Sequence, residues 1–331
     1  MQNGHMTRTT EKRLMLFSGS GYPPLADHIA DQLDVDVGGV ELLRFPSGEM
    51  YARYLESVRG ADVFIVQCLC EPVNRNLMQL MVMIDAARRA SAKRITAVLP
   101  YYAYSRQDRK TKPREPITAR LVAKMLEAAG AERVMTMDLH QGQVEGFFSF
   151  PVDHLTAMHT FVDHFRNEGF LNAEDAVVVA PDTGEAKVAN RLADHLGVPW
   201  AILNKRRSGG PGESEVTHVI GDVEGRRAIM IDDLIDTAGT LCNAAEALLE
   251  KGATEVYAAG THAIFSGPAY ERIEASHIKE VVVTDTLPLK EGEPRSKIRA
   301  LTIAPLLAST IKNVFLDASV SEVFMGENQL F

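Results

Sequence analysis

At 331 residues the chain is long for one domain, and a hydrophobic fraction of 46% supplies material for two cores. Lys and Arg total 35 against 44 Asp and Glu, a formal charge of −9. That balance argues against a nucleic-acid partner and requires any anionic substrate to be held by a local basic cluster.

No secretory leader is visible and no apolar run is as long as a membrane span, so a cytoplasmic protein without a membrane partner is expected. Short β-rich runs at 13–17, 63–67, 95–99, 134–137, 177–180, 228–231, 256–260 and 281–284 alternate with helical patterns at 76–89, 117–129, 186–196 and 241–251. In the last helix Leu241, Ala244, Ala245, Leu248 and Leu249 form one apolar stripe, and Gly252 supplies the stop. The alternation predicts an α/β fold with largely parallel sheets, whose sites collect at the carboxyl ends of strands. Gly19-Ser20-Gly21 follows the first strand, but the next glycine of a dinucleotide fingerprint is replaced by Pro24, so a tight turn into a helix is read instead. Residues 151–164 read as the domain junction. Cys68, Cys70 and Cys242 have no disulfide-framework or zinc spacing and read as small hydrophobes.

The run Asp232-Asp233-Leu234-Ile235-Asp236-Thr237-Ala238-Gly239-Thr240 follows the apolar stretch 228–231 and precedes the last helix. A strand ending in two carboxylates and turning through Asp-Thr-Ala-Gly-Thr into a helix makes a phosphate pocket. Small residues admit backbone N–H groups, the hydroxyls of Thr237 and Thr240 donate, and the helix N-terminus favours negative charge. Paired acids suit sugar hydroxyls or a metal-bound sugar rather than the phosphate itself. Such a junction could also be structural, with its acids favoured by the helix dipole, but three acids in five residues exceed that need. The pattern resembles the phosphoribosyl-binding signature of phosphoribosyltransferases and phosphoribosyl pyrophosphate synthetases.

Other stretches point the same way. The first half carries Arg44-Phe45-Pro46-Ser47-Gly48-Glu49, the run 100–109 ending in Arg106-Gln107-Asp108-Arg109, Asp138-Leu139-His140 and Gly146-Phe147-Phe148. The second half adds Ala180-Pro181-Asp182, Lys205-Arg206-Arg207 and Ser266-Gly267-Pro268-Ala269. From about residue 14 to 324 the chain resembles the ribose-phosphate pyrophosphokinase family, which transfers the β,γ-diphosphoryl group of ATP to ribose 5-phosphate and releases AMP.

The resemblance implies two similar phosphoribosyltransferase-like domains. One spans 12–154 on the ATP side, with 310–331 packing back on it, and the other spans 155–309 and binds ribose 5-phosphate. It also implies a homo-oligomer, usually a hexamer, and Mg²⁺ as cofactor. Asp236, Thr237, Ala238, Gly239 and Thr240 would wrap the 5-phosphate while Asp232 and Asp233 orient ribose hydroxyls; Asp236 is expected to turn its carboxylate back and cap the loop amides. His140 and Asp182 would help hold magnesium, His140 through a water or phosphate because Mg²⁺ prefers oxygen ligands. Phe45 would stack on adenine, with Ser47, Gly48 and Glu49 reading its edge and Arg106, Gln107 and Arg109 meeting the nucleotide. Ser47 departs from the family's usual aspartate, leaving a neutral acceptor in its place. Lys205 and Arg207 match the catalytic pair on a flap, Arg207 also reaching ribose 5-phosphate, and the glycine-rich stretch after them suits a lid. The region 318–324 keeps the serine and phenylalanine positions that border an effector site in relatives. A phosphoribosyltransferase would use the Asp232–Thr240 motif but has no role for the Phe45 turn or Arg106-Gln107. A non-catalytic homologue would be expected to lose the flap cations, His140 or the sugar motif, all of which are present.

Overall fold

The computed structural model describes residues 12–207 and 214–321. The first half runs β1 (Leu14–Ser18), α1 (Pro23–Leu33), β2 (Val40–Arg44), β3 (Met50–Tyr54), β4 (Asp62–Val66), α2 (Val73–Arg89), β5 (Arg94–Leu99), α3 (Thr118–Ala129), β6 (Arg133–Met137) and β7 (Val152–Leu155). The second half runs α4 (Met158–Asn167), β8 (Ala176–Ala180), α5 (Ala186–Leu196), β9 (Trp200–Arg207), β10 (Ser214–Ile220), β11 (Arg227–Ile235), α6 (Gly239–Glu250), β12 (Glu255–Ala263), α7 (Ala269–Ala275), β13 (Glu280–Thr284), β14 (Ile298–Leu301) and α8 (Ala304–Phe315).

Two sheets result, both α/β in character. The first has the order β1-β4-β5-β6-β7 and is parallel throughout. The second has the order β10-β9-β8-β11-β12-β13-β14 and is parallel except where β10 meets β9. β2 and β3 form a separate antiparallel hairpin. Every residue of β4 and β8 is buried, as expected of strands covered on both faces by crossover helices. The segment read as a junction is structured, since β7 pairs with β6 and α4 begins at Met158.

The glycines before α1 have a packing reason. A Cβ at Gly21 would lie 2.2 Å from the carbonyl oxygen of Cys68, and one at Gly19 would lie 2.2 Å from Gln67 Oε1. The turn therefore needs glycine for close approach to the chain leaving β4.

A core cluster joins Leu16 and Phe64 of the first sheet to Val178 and Ile229 of the second, and includes Leu307 and Ile311 of α8. α8 packs on α1, so this late helix covers the first half. Just beyond it, Asp317 accepts from Arg94 Nη1 at 2.8 Å and pairs with Lys12. Those two cations hold its carboxyl at about 2.

β11 is longer than its apolar stretch. The sequence predicts a strand over 228–231, but pairing with β12 continues through Asp232↔Gly260, Leu234↔His262 and Ile235↔Ala263. Pairing with β8 stops at Met230↔Val179. Gly260 permits the extension, because a Cβ there would meet Ile235 Cγ1 at 2.8 Å. Among the described residues no helix is long and apolar enough to cross a membrane.

Candidate active site

Because β11 outruns β8, Asp232 and Asp233 stand within a strand whose neighbour on one side has ended. The first sheet meets them there. His140, just after β6, has Nδ1 2.8 Å from Asp233 Oδ2. Arg106, after β5, donates from Nη1 to Asp236 Oδ2 at 2.8 Å. Both contacts join the carboxyl ends of one sheet to those of the other.

Electrostatics single out three acids. Ligand oxygens of Glu185, Asp232 and Asp233 all lie within 4.8 Å of one another. Burial, then the charges of Asp233 and Asp182, push Glu185 up to about 7. Burial and the neighbouring Asp233 also raise Asp232 well above the ordinary carboxylate range. For Asp233 burial works in the same direction, but hydrogen bonds with His140 and Asp232 outweigh it and hold this carboxyl low. Asp233 therefore carries the charge of the pair. Its hydrogen bond raises His140 against the opposing effect of burial. The three acids, His140, Asp138 and Thr261 line a cavity of about 180 Å³ with Lys187 and Arg191 on its α5 side.

The loop after β11 is tied down by its neighbours. The Ser266 N–H donates to the Asp236 carbonyl at 3.0 Å, and Arg272 Nη1 donates to the Thr237 carbonyl at 3.0 Å. Ala238 takes the left-handed conformation at φ +57°, and α6 starts at Gly239 without a side-chain cap. Its first-turn N–H groups thus have no capping side chain as competitor, which leaves them available to an anion. Thr237 and Thr240 are exposed beside them. The expected cap by Asp236 is not what forms: its carboxylate reaches across to Arg106, a stronger, charged donor.

Beside the Arg106 segment a hollow of about 640 Å³ is lined by Tyr101, Tyr104, Arg106, Gln107, Glu71 and Asn74. A second hollow, about 610 Å³, is lined by Arg44, Gly48, Glu49, Arg75 and Met78. The two share Pro72 and Asn74, so the hairpin turn and the Arg106 segment flank adjoining spaces. Phe45 is 46% exposed, with its ring centroid 6.1 Å from that of Tyr51. Ser47 Oγ donates to Glu49 Oε2 at 2.7 Å, and Gly48 takes φ +95° to close the turn. Gln107 Oε1 accepts from Thr118, and Arg109 is exposed outside both hollows.

Among the described residues, the group of three closely spaced acids includes neither His140 nor Asp182. Asp182 is exposed, and its Oδ1 accepts from the Gly184 N–H at 2.8 Å in the turn entering α5. Lys205 and Arg207 lie on β9, where the backbone pairs them with Val216 and Ser214. The glycine-rich stretch 208–213 and Phe324 lie outside the described residues.

Sequence reasoning missed Glu185, Thr261 and His262, and took Asp138 only as part of the Asp138-Leu139-His140 run. The signal for Glu185 was present as a second acid three residues after Asp182. Nothing in the local sequence marks Thr261 and His262, which fall just beyond the strand read at 256–260.

Comparison with known proteins agrees with this geometry. Residues 14–130 match the family model described as the N-terminal domain of ribose phosphate pyrophosphokinase, and residues 210–325 match that of the phosphoribosyl synthetase-associated domain. Relatives described as ribose-phosphate pyrophosphokinase include those of Clostridium acetobutylicum, 49% identical over 96% of this chain and 98% of theirs, and Clostridium tetani, 50% identical over 95% and 98%. The crystal structure of phosphoribosylpyrophosphate synthetase from Mycobacterium smegmatis superposes with a TM-score of 0.87 at 46% identity, covering 93% of this chain and 100% of that one. On sequence similarity across nearly its whole length, the chain belongs to the ribose-phosphate pyrophosphokinase family.

Proposed function

We infer that this enzyme transfers the β,γ-diphosphoryl group of ATP to the anomeric hydroxyl of ribose 5-phosphate, giving 5-phosphoribosyl 1-pyrophosphate and AMP. The observation that carries the reading is the meeting of the two halves: Arg106 beside the nucleotide hollow contacts Asp236 of the sugar-phosphate loop, and His140 contacts Asp233. A site divided in this way brings two substrates together. A phosphoribosyltransferase has no use for the nucleotide-side hollows.

In this reading Phe45, Ser47, Gly48, Glu49, Arg106, Gln107 and Arg109 serve ATP, and the loop 236–240 holds the 5-phosphate against the first turn of α6. Asp232 and Asp233 accept from ribose hydroxyls. The anomeric oxygen attacks the β-phosphorus as its proton passes to solvent or a carboxylate, the bond from that phosphorus to the oxygen bridging to the α-phosphate breaks, and AMP leaves. Little covalent work falls to the protein in such a transfer; positioning and charge neutralisation dominate. Lys205 and Arg207 supply cations for the charge that develops on the transferred group.

A magnesium ion fits the Glu185, Asp232 and Asp233 group, whose closely spaced oxygens are the ligand type it prefers. When bound, magnesium supplies charge neutralisation to the phosphates. Residues 12–154 with the last segment form the ATP-side domain in this proposal, and 155–309 the sugar-phosphate domain. Assembly into a homo-oligomer is part of the same reading, supported by the exposed Leu43, Phe45 and Leu55 on or beside the β2–β3 hairpin.

The decisive experiment incubates the purified chain with ATP, ribose 5-phosphate and Mg²⁺ and separates the products. AMP in equal amount to the diphosphorylated sugar is expected. ADP as the nucleotide product would identify a simple kinase and sink the proposal.

A further inference from the structure

His262 is a buried histidine, 2% exposed, with no direct part in the reaction described above. It lies near the carboxyl end of β12 and reaches across the boundary between the sheets. Its Nε2 is 3.2 Å from the carbonyl oxygen of Met137 and 3.1 Å from that of Asp138. Carbonyls only accept, so Nε2 carries the proton. Nδ1 lies 3.0 Å from Thr286 Oγ1, a hydroxyl that also donates to the Thr261 carbonyl at 3.0 Å. Burial favours the neutral form, lowering the ring from the ordinary histidine range against the opposing fields of Asp138 and Asp233.

The backbone it grips is strained. Asp138 has φ +26°, a left-handed conformation that a non-glycine residue holds only when its surroundings dictate it. The surroundings do so from several sides. The Asp138 carboxylate accepts from Thr261 Oγ1 at 2.6 Å and from the Ala157 N–H at 2.9 Å. The next amide, Leu139 N–H, donates to His154 Nε2 at 2.8 Å, and His154 Nδ1 is anchored on Glu145 at 2.7 Å. The ring of Tyr101 packs on His262 with centroids 4.9 Å apart. His140 follows this kink directly, and its own contact is Asp233. β12 also pairs with β11, which carries Asp233, so one strand braces both partners.

We propose that His262, assisted by Thr261, is a positioning residue: it holds the Asp138 kink and so sets His140 against Asp233 in the assembled site. The inference rests on the diphosphoryl-transfer reading and adds to it a device outside the substrate contacts. Its effect belongs to the geometry of the reacting groups, not to affinity for either substrate. A misplacement of about 1 Å in such a site can lower rate about a hundredfold.

The test compares the parent chain with His262→Leu and His262→Gln, measuring kcat and KM for both substrates on folded protein. Glutamine can return an N–H donor near the position of Nε2, whereas leucine cannot. The expected result is a kcat about a hundredfold lower in His262→Leu, with both KM values little changed. His262→Gln should recover most of the loss. Unchanged kcat in the leucine variant, a change confined to KM, or no recovery with glutamine overturns the inference. Should His262→Leu fail to fold, Thr261→Val and Thr261→Ser read the same kink through the Asp138 carboxylate. A fall in kcat with valine that serine reverses supports the proposal, and an undiminished valine variant overturns it. The two readings fail separately. A parent that makes no AMP refutes the diphosphoryl-transfer reading and takes this one with it; an active parent whose variants keep their kcat refutes only the role of His262.

Discussion

Glu185 sits where burial and three neighbouring acids oppose its ionisation, and the consequence is a stability that depends on pH. Unfolding returns the group to its ordinary 4.5, whereas the folded chain keeps the proton until about 7. Between those values the native state binds more protons than the unfolded one, so stability falls as pH rises through that window. Glu185→Gln removes the penalty. In chelator, the variant should melt above the parent at about pH 8 and close to it at about pH 5, a contrast that differential scanning calorimetry would read. A difference equal at both pH values would mean that Glu185 titrates as an exposed carboxylate. Lys205 belongs to the same scale. If its ammonium meets charge that develops chiefly in the transition state, Lys205→Ala lowers kcat by about 10²–10³ while calorimetric binding of each substrate is little altered. A loss confined to ribose 5-phosphate affinity would make it a ground-state contact.

Among elements, the turn between β1 and α1 makes a sharp claim. The oxygen a methyl group at Gly21 would strike belongs to the backbone at Cys68, which cannot swing aside as a side-chain tip would. Gly21→Ala should cost about 1–3 kcal/mol in urea unfolding, the range for overpacking a filled site. A neutral substitution would show that the turn shifts freely. Elements of this kind were legible in sequence to different degrees. α5 has the bounds its helical pattern predicts, and β4 and β8 came within a residue because a strand covered on both faces is apolar throughout. The β2–β3 hairpin was not visible: Val40-Glu41-Leu42-Leu43-Arg44 is half-exposed and has no clean alternation. The last four residues of β11 were hidden because Asp232 and Asp233 interrupt the apolar run, and pairing with β12 overrides that local signal. The resemblance assigns roles only to residues within contiguous motifs. His262 could not be read in this way, since its meaning lies in carbonyls more than a hundred residues away along the chain.

For the whole molecule, the shared core predicts that the two halves melt as one. Leu307 and Ile311 are fully buried on α8, within a cluster that reaches both sheets. Leu307→Ala should cost about 2–5 kcal/mol. The single tryptophan, Trp200, lies in the second half and is partly exposed, which makes it a local reporter of unfolding. Its fluorescence and the far-ultraviolet circular dichroism should give coincident transitions in both parent and variant. A tryptophan transition that stays in place while the dichroism shifts would show that the halves unfold independently.

The position of α8 also bears on how the protein is made. About 270 residues separate the end of α1 from the start of the helix that covers it. At ordinary rates of synthesis that interval lasts roughly 14–54 s, during which the α1 surface has emerged from the ribosome and its cover does not yet exist. The growing chain thus carries an unfinished apolar face through most of its translation, and the first half reaches its final form only after nearly all of the second has been made.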